Sequence, residues 1–198
     1  MRTKRKVTKM ALLTIKTRKA WFKKLGLGEY NKENILKLQK KYFVRKSDWD
    51  GLYGPNTDKL LRHVHHVKTY TVNFKPQDFR CPCGRCTGYP TWLRVNEAKH
   101  IQTIRSHYGK QMTISSGLRC EYENSRLAGS RSSSAHMKGK AVDYYMPGVT
   151  DTEAHRRTAI SYIKRLKHHN YTYGNGISST GAHVYAPNMG NAMHTEVK

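Results

Sequence analysis

Two stretches of this chain carry residue types that together can hold a metal ion. In Ser134-Ala135-His136-Met137-Lys138-Gly139-Lys140-Ala141-Val142-Asp143 a histidine precedes a carboxylate. In Ala192-Met193-His194-Thr195-Glu196-Val197 a histidine and a second carboxylate stand two residues apart. His136, Asp143 and His194 are three suitable ligands for a zinc ion, with the fourth position left to water. An ion so held acidifies water and polarises a peptide carbonyl, which is the chemistry of hydrolysis. Hydrolysis also needs a base that takes a proton from water and returns it to the leaving amine. Glu196 is the first candidate, as base or as partner to His194, with its Cα about 7 Å away along an extended strand. His183 is the other.

These side chains need rigid elements beneath them. After Gly139 the alternation puts Ala141 and Asp143 on one face of a strand, with Val142 and Tyr144 on the other. Small residues on the Asp143 face leave room there. Ala192, His194 and Glu196 alternate in the same way with Met193, Thr195 and Val197, so the last strand also has a polar face. Upstream, Ile114-Ser115-Ser116-Gly117-Leu118-Arg119-Cys120 reads as a strand followed by a glycine turn, with Asn124 soon after.

Ser-x-His-x-x-Gly-x-Ala-x-Asp followed by a late strand histidine resembles the zinc D-alanyl-D-alanine carboxypeptidase family, which includes phage endolysins and shares its fold with the hedgehog signalling domain. The resemblance spans roughly residues 74–198. It implies an α+β domain whose antiparallel sheet carries the ligands. It also implies that Arg119 binds a substrate carboxylate or carbonyl through its bidentate fork, and that Ser134 bonds locally or to substrate. The chain departs from the pattern in one place. Familiar relatives carry an acid three residues before the final histidine, and here that residue is Asn191, whose amide cannot accept the proton.

The 198 residues suffice for one ordinary domain, or for a small module beside a compact one. With hydrophobic residues at 37% and 13 tyrosines against 4 phenylalanines, the core is modest and the surfaces amphipathic. A net charge of +24 points to a polyanionic partner: nucleic acid, an anionic wall polymer or an anionic membrane surface. The basic residues are spread along the chain and not gathered on one recognition helix, which counts against a specific nucleic-acid reader. The N-terminal apolar run Met10 to Ile15 is cut off by Lys16 and Arg18, too short for a signal peptide, and no stretch approaches a transmembrane helix. The expectation is synthesis in a host bacterial cytoplasm and action on the wall after release.

Along the chain, residues 1–9 form a basic tail, 10–68 a small helical module and 69–198 the second domain. Leu38-Gln39-Lys40-Lys41-Tyr42-Phe43, then Asp50-Gly51-Leu52-Tyr53-Gly54-Pro55-Asn56-Thr57, resembles the three-helix peptidoglycan-binding domain. Its last helix is capped by Asn56 or Thr57, and His63, His65 and His66 are expected on the surface near the linker. A short strand is expected over 69–74, a helix over 90–108 and a flexible segment over 174–181.

Cys81, Cys83 and Cys86 are packed into Cys-x-Cys-x-x-Cys, and Cys120 stands apart. A second, structural zinc site forms if Cys120 folds back onto the cluster; buried thiols or a disulfide are the alternatives. Together these features describe a monomeric, peptidoglycan-degrading zinc metallopeptidase of endolysin type, cutting as an L-alanyl-D-glutamate endopeptidase or a D-alanyl-D-alanine carboxypeptidase. The alternative is a non-catalytic, hedgehog-like wall-binding protein with structural zinc.

Overall fold

A computed structural model of the protein describes residues 11–198; the basic tail over 1–9 lies outside them. Three helices come first: α1 (Ile15–Lys24), α2 (Lys32–Tyr42) and α3 (Pro55–Tyr70). Thr14 caps α1, and Asn31 caps α2 by accepting from Asn34 N. Pro55 opens α3, where its missing N–H leaves nothing unpaired. Phe22, Leu38, Leu60, Leu61 and Val64 form the core between the helices, and Tyr89 and Leu118 complete it from further along the chain.

The buried amide of Gln39 explains the Leu-Gln and Asp-Gly pattern. Its Nε2 donates to Asp50 Oδ1, the Leu52 carbonyl and Thr57 Oγ1 at 2.8, 3.1 and 3.0 Å. Its Oε1 accepts from Gly51 N at 2.8 Å. One side chain therefore satisfies the turn between α2 and α3 from inside.

The second part follows with α4 (Val95–Tyr108), β1 (Thr113–Ser116), α5 (Glu121–Arg126), β2 (Ala141–Tyr145), α6 (Glu153–Ile163), β3 (His169–Gly174), β4 (Ile177–Ser178) and β5 (Met193–Val197). The strands form one antiparallel sheet in the order β1-β2-β5-β3-β4. The architecture is the α+β arrangement expected. Val142, Tyr144 and Met193 pack with Ile101 and Ile104 of α4 and with Ala159, Ile160 and Ile163 of α6. Alternation leaves Asp143, His194 and Glu196 on the opposite face.

Several expectations need correction. His63 and His65 are not on the surface: α3 continues to Tyr70 and turns both inward, with His63 fully buried. His63 accepts from Leu93 N at 3.1 Å and donates from Nε2 to the Pro76 carbonyl at 2.9 Å. The short strand expected over 69–74 is absent among the described residues, because α3 fills its first part and a 3₁₀ turn begins at Pro76. The helix expected from Pro90 starts only at Val95. Residues 90–94 stay outside the helix because their backbone is used elsewhere: Arg94 N donates to the Gly139 carbonyl at 2.8 Å. The segment expected to be flexible near 174–181 instead supplies β4, paired with β3 through Tyr173 and Gly174.

Candidate metal centre

The pairing register builds the site. Asp143 on β2 lies directly opposite His194 on β5, and His194 lies opposite Tyr173 on β3. Ser116 on β1 lies opposite Asp143. Four residues far apart in sequence thus form one row across the sheet. His136 joins them from a 3₁₀ turn, Ala135–Lys138, that runs into β2. That turn ends at Gly139 with φ +67, a conformation that favours glycine. A Cβ there would lie 1.9 Å from the Trp92 carbonyl oxygen, so the backbone can approach only without a side chain.

His136 Nδ1 lies 2.8 Å from the Gly117 carbonyl and donates to it, which leaves Nε2 bare. Gly117 reaches this place by the same means: a Cβ on it would be 2.6 Å from Phe79 backbone atoms. His136 Nε2 stands 3.2 Å from Asp143 Oδ1 and 3.3 Å from His194 Nδ1. His194 Nδ1 stands 2.7 Å from Asp143 Oδ1. Four donors around zinc at about 2.0–2.1 Å are roughly 3.3 Å apart, so two of these separations already fit a tetrahedral shell. The 2.7 Å contact is a hydrogen bond from the His194 ring, whose proton leaves when a metal takes the nitrogen. The residues present fit zinc, with a donor set of two nitrogens and one oxygen.

Electrostatics prepare Asp143 and His136 as deprotonated donors, whereas His194 must give up a proton to become one. Burial opposes ionisation of Asp143, but the adjoining His136 and His194 imidazoles outweigh it and hold the carboxyl far below its ordinary range. Burial pushes His136 down, partly offset by Asp143. Burial also opposes a charge on His194, yet its contacts with Asp143 and Glu196 raise it.

Glu196 Oε2 lies 3.7 Å from His194 Nε2, and Asn170 Nδ2 donates to Glu196 Oε1 at 2.6 Å. The contact with His194 is the main cause that lowers its carboxyl below the usual range. Arg119 is not directed at solvent: Nη2 donates to Asp143 Oδ2 at 2.5 Å and Nε to Ser116 Oγ at 2.8 Å. Ser134 lines the groove beside the candidate ligands His136 and His194, a space of about 1190 Å³. His183 is exposed and lies outside the groove's lining residues. Asn191 is exposed as well.

A family model described as Peptidase M15 matches residues 72–184, more than half of the chain. The chain belongs to the peptidase M15 family. As a member it is a zinc-dependent metallopeptidase that acts on peptidoglycan peptides. The matched segment contains His136 and Asp143 but stops short of His194, which the sheet register and its 2.7 Å contact with Asp143 bring beside them. Comparison with curated proteins and with solved structures gives no match. Among the described residues no helix is long and apolar enough to cross a membrane.

Sequence reasoning missed two residues near this candidate site, Tyr173 beside it and Glu97 in the core beneath the sheet. Tyr173 lies tilted beside His194 with ring centroids 4.8 Å apart, and the alternation of Tyr171 and Tyr173 was the available signal. Glu97 is fully buried, and neither carboxylate oxygen has a hydrogen-bond partner among the described residues. Burial, with Glu196 and Asp143 nearby, pushes its carboxyl well above the ordinary range. Its helical spacing with Ile101 and Ile104 placed it on the inward stripe.

Proposed function

We propose that this M15 peptidase is a phage endolysin that hydrolyses a bond of the wall stem peptide. The observation that carries the reading is the convergence of His136 Nε2, Asp143 Oδ1 and His194 Nδ1 on one point at the groove floor. His136, Asp143 and His194 would hold zinc there, which would supply Lewis acidity toward water and the scissile carbonyl. Glu196 Oε2 accepts the water's proton and returns it to the leaving amine. Arg119 positions Asp143. Tyr173 packs against His194 and limits its ring orientation.

The groove favours an anionic substrate. Arg131, Lys138, Lys140 and Lys198 line it, against Glu196 as the acid on the wall. A stem peptide bearing free carboxylates suits such a field. Residues 10–68 act as a peptidoglycan-binding module, a reading supported by the Gln39-centred turn and a shallow space of about 210 Å³ beside it. Held on the wall by this module and by its +24 charge, the monomer works at a raised local substrate concentration. Synthesis in the host cytoplasm followed by release to the wall fits the same picture.

Digestion of purified walls followed by mass spectrometry of the fragments tests the reading. New amine and carboxyl ends at one stem-peptide bond, lost with a chelator, are expected. Their position separates L-alanyl-D-glutamate endopeptidase from D-alanyl-D-alanine carboxypeptidase action. Asn191 favours a second reading, a zinc-containing wall binder without turnover. Intact walls after digestion, with the protein still bound to them, would select it.

A further inference from the structure

The hydrolytic site leaves one cluster of ligating side chains unused. Cys81, Cys83, Cys86 and Cys120 each bring a sulfur within 4.8 Å of the others. All four are free thiols. Cys83 Sγ lies 3.4 Å from Cys86 Sγ and 3.5 Å from Cys120 Sγ. Four sulfurs bound to one zinc at about 2.3 Å stand roughly 3.8 Å apart. The observed spacing is near that edge, and it joins more than two sulfurs, which separate disulfides would not require.

The backbone is arranged for thiolates. Arg85 N and Cys86 N each lie 3.3 Å from Cys83 Sγ and donate to it. Gly88 N donates to Cys86 Sγ at 3.3 Å, and Glu123 N to Cys120 Sγ at 3.4 Å. Hydrogen bonds to sulfur favour the charged form that a metal needs. Gly88 sits at φ +92, which turns the chain back so that Cys81 N reaches its carbonyl at 2.9 Å.

The position of the cluster gives such an ion a structural task. The 81–86 loop is docked on the helical module: Arg45 Nη1 donates to the Arg85 carbonyl at 2.8 Å, and Val44 N to that of Thr87 at 3.3 Å. Cys120 directly follows Arg119, whose guanidinium holds Asp143. Four protein ligands close the coordination shell and leave no position for substrate or water, as in structural zinc sites.

We propose that Cys81, Cys83, Cys86 and Cys120 bind a second zinc ion, which fixes the Cys120 turn and with it the Arg119 side chain. The assignment rests on the sulfur geometry and stands apart from the hydrolytic reading.

The test counts metal in the full-length protein, purified under reducing conditions from zinc-supplied cells, by elemental analysis and native mass spectrometry. Two zinc ions per chain are expected. A His136→Ala/Asp143→Ala variant should keep one, and a Cys83→Ser/Cys86→Ser variant should also keep one. If the cysteine variant does not fold, the His136→Ala/Asp143→Ala protein loaded with cobalt decides, through the sulfur-to-cobalt charge-transfer absorption. The four thiols of the native protein should resist a thiol reagent until chelator and denaturant are added. Absence of zinc from the His136→Ala/Asp143→Ala variant would overturn the proposal. So would iron in its place, freely reactive native thiols, or an intact mass lowered by disulfide formation. Failure of wall digestion with two zinc ions present would count against the endolysin reading alone.

Discussion

Arg119 Nη2 lies 2.5 Å from Asp143 Oδ2, while the other oxygen of the same carboxylate faces His136 and His194. One guanidinium therefore assigns the two oxygens of the proposed metal ligand to different tasks. Ser116 fixes the guanidinium from its other edge. The side chain that family resemblance assigns to substrate is spent, in large part, on holding a ligand still.

Arg119→Lys should weaken zinc binding at the histidine–aspartate site by about 10–100-fold, the usual effect of losing a ligand's orienting partner. Lysine keeps the charge but not the two-edged fork. A competition titration with a metal indicator measures it. A raised KM with unchanged zinc affinity would instead mean that Arg119 serves substrate.

Glu196→Gln should lower kcat by about 10²–10⁴-fold with zinc retained, because the amide keeps the shape and the contact with Asn170 but cannot take a proton. Zinc content and kcat are measured on the same preparation. A loss under about tenfold would leave Glu196 as an orienting partner of His194.

Gly139→Ala should destabilise the protein by roughly 3 kcal/mol or more, since it combines left-handed backbone with a collision against the Trp92 carbonyl. Thermal unfolding should show a midpoint lower by about 6–12 °C. Lys138→Ala, one residue away, should leave the midpoint nearly unchanged.

His63 predicts an acid limb in stability. Burial, against the bond to Pro76 and with His66 nearby, lowers it from 6.5 to about 4. A proton on Nδ1 would also face the Leu93 N–H that now donates to it. Between those values the unfolded chain binds a proton that the folded chain refuses, so stability rises with pH across the window and is lost as pH falls through it. The contribution is about 3 kcal/mol. In urea unfolding, the stability advantage of the native sequence over His63→Gln should shrink by about 2–3 kcal/mol between pH 7 and pH 4.5.

Much of the site was legible before any coordinates, because strand alternation is a property of neighbouring residues. Ala141 and Asp143 share a face, as do His194 and Glu196, in any strand that contains them. The Gln39 and Asp50-Gly51 pattern likewise announced its turn, since the partners are close in sequence. Local signals failed where long-range contacts took over the backbone. Residues 90–94 bond instead to His63 and Gly139, and His63 and His65 looked solvent-facing although the Pro76 turn covers the first and Trp21 stacks on the second.

Composition and spacing alone determined the strand faces and named the candidate ligands and the candidate acid. Only the tertiary structure decided that Asp143 sits opposite His194, that Arg119 points at that aspartate, that His183 stands outside the groove and that Cys120 reaches the other three sulfurs. Those are matters of register and chain reversal. They depend on how separate segments pack, and no periodicity within a segment encodes them.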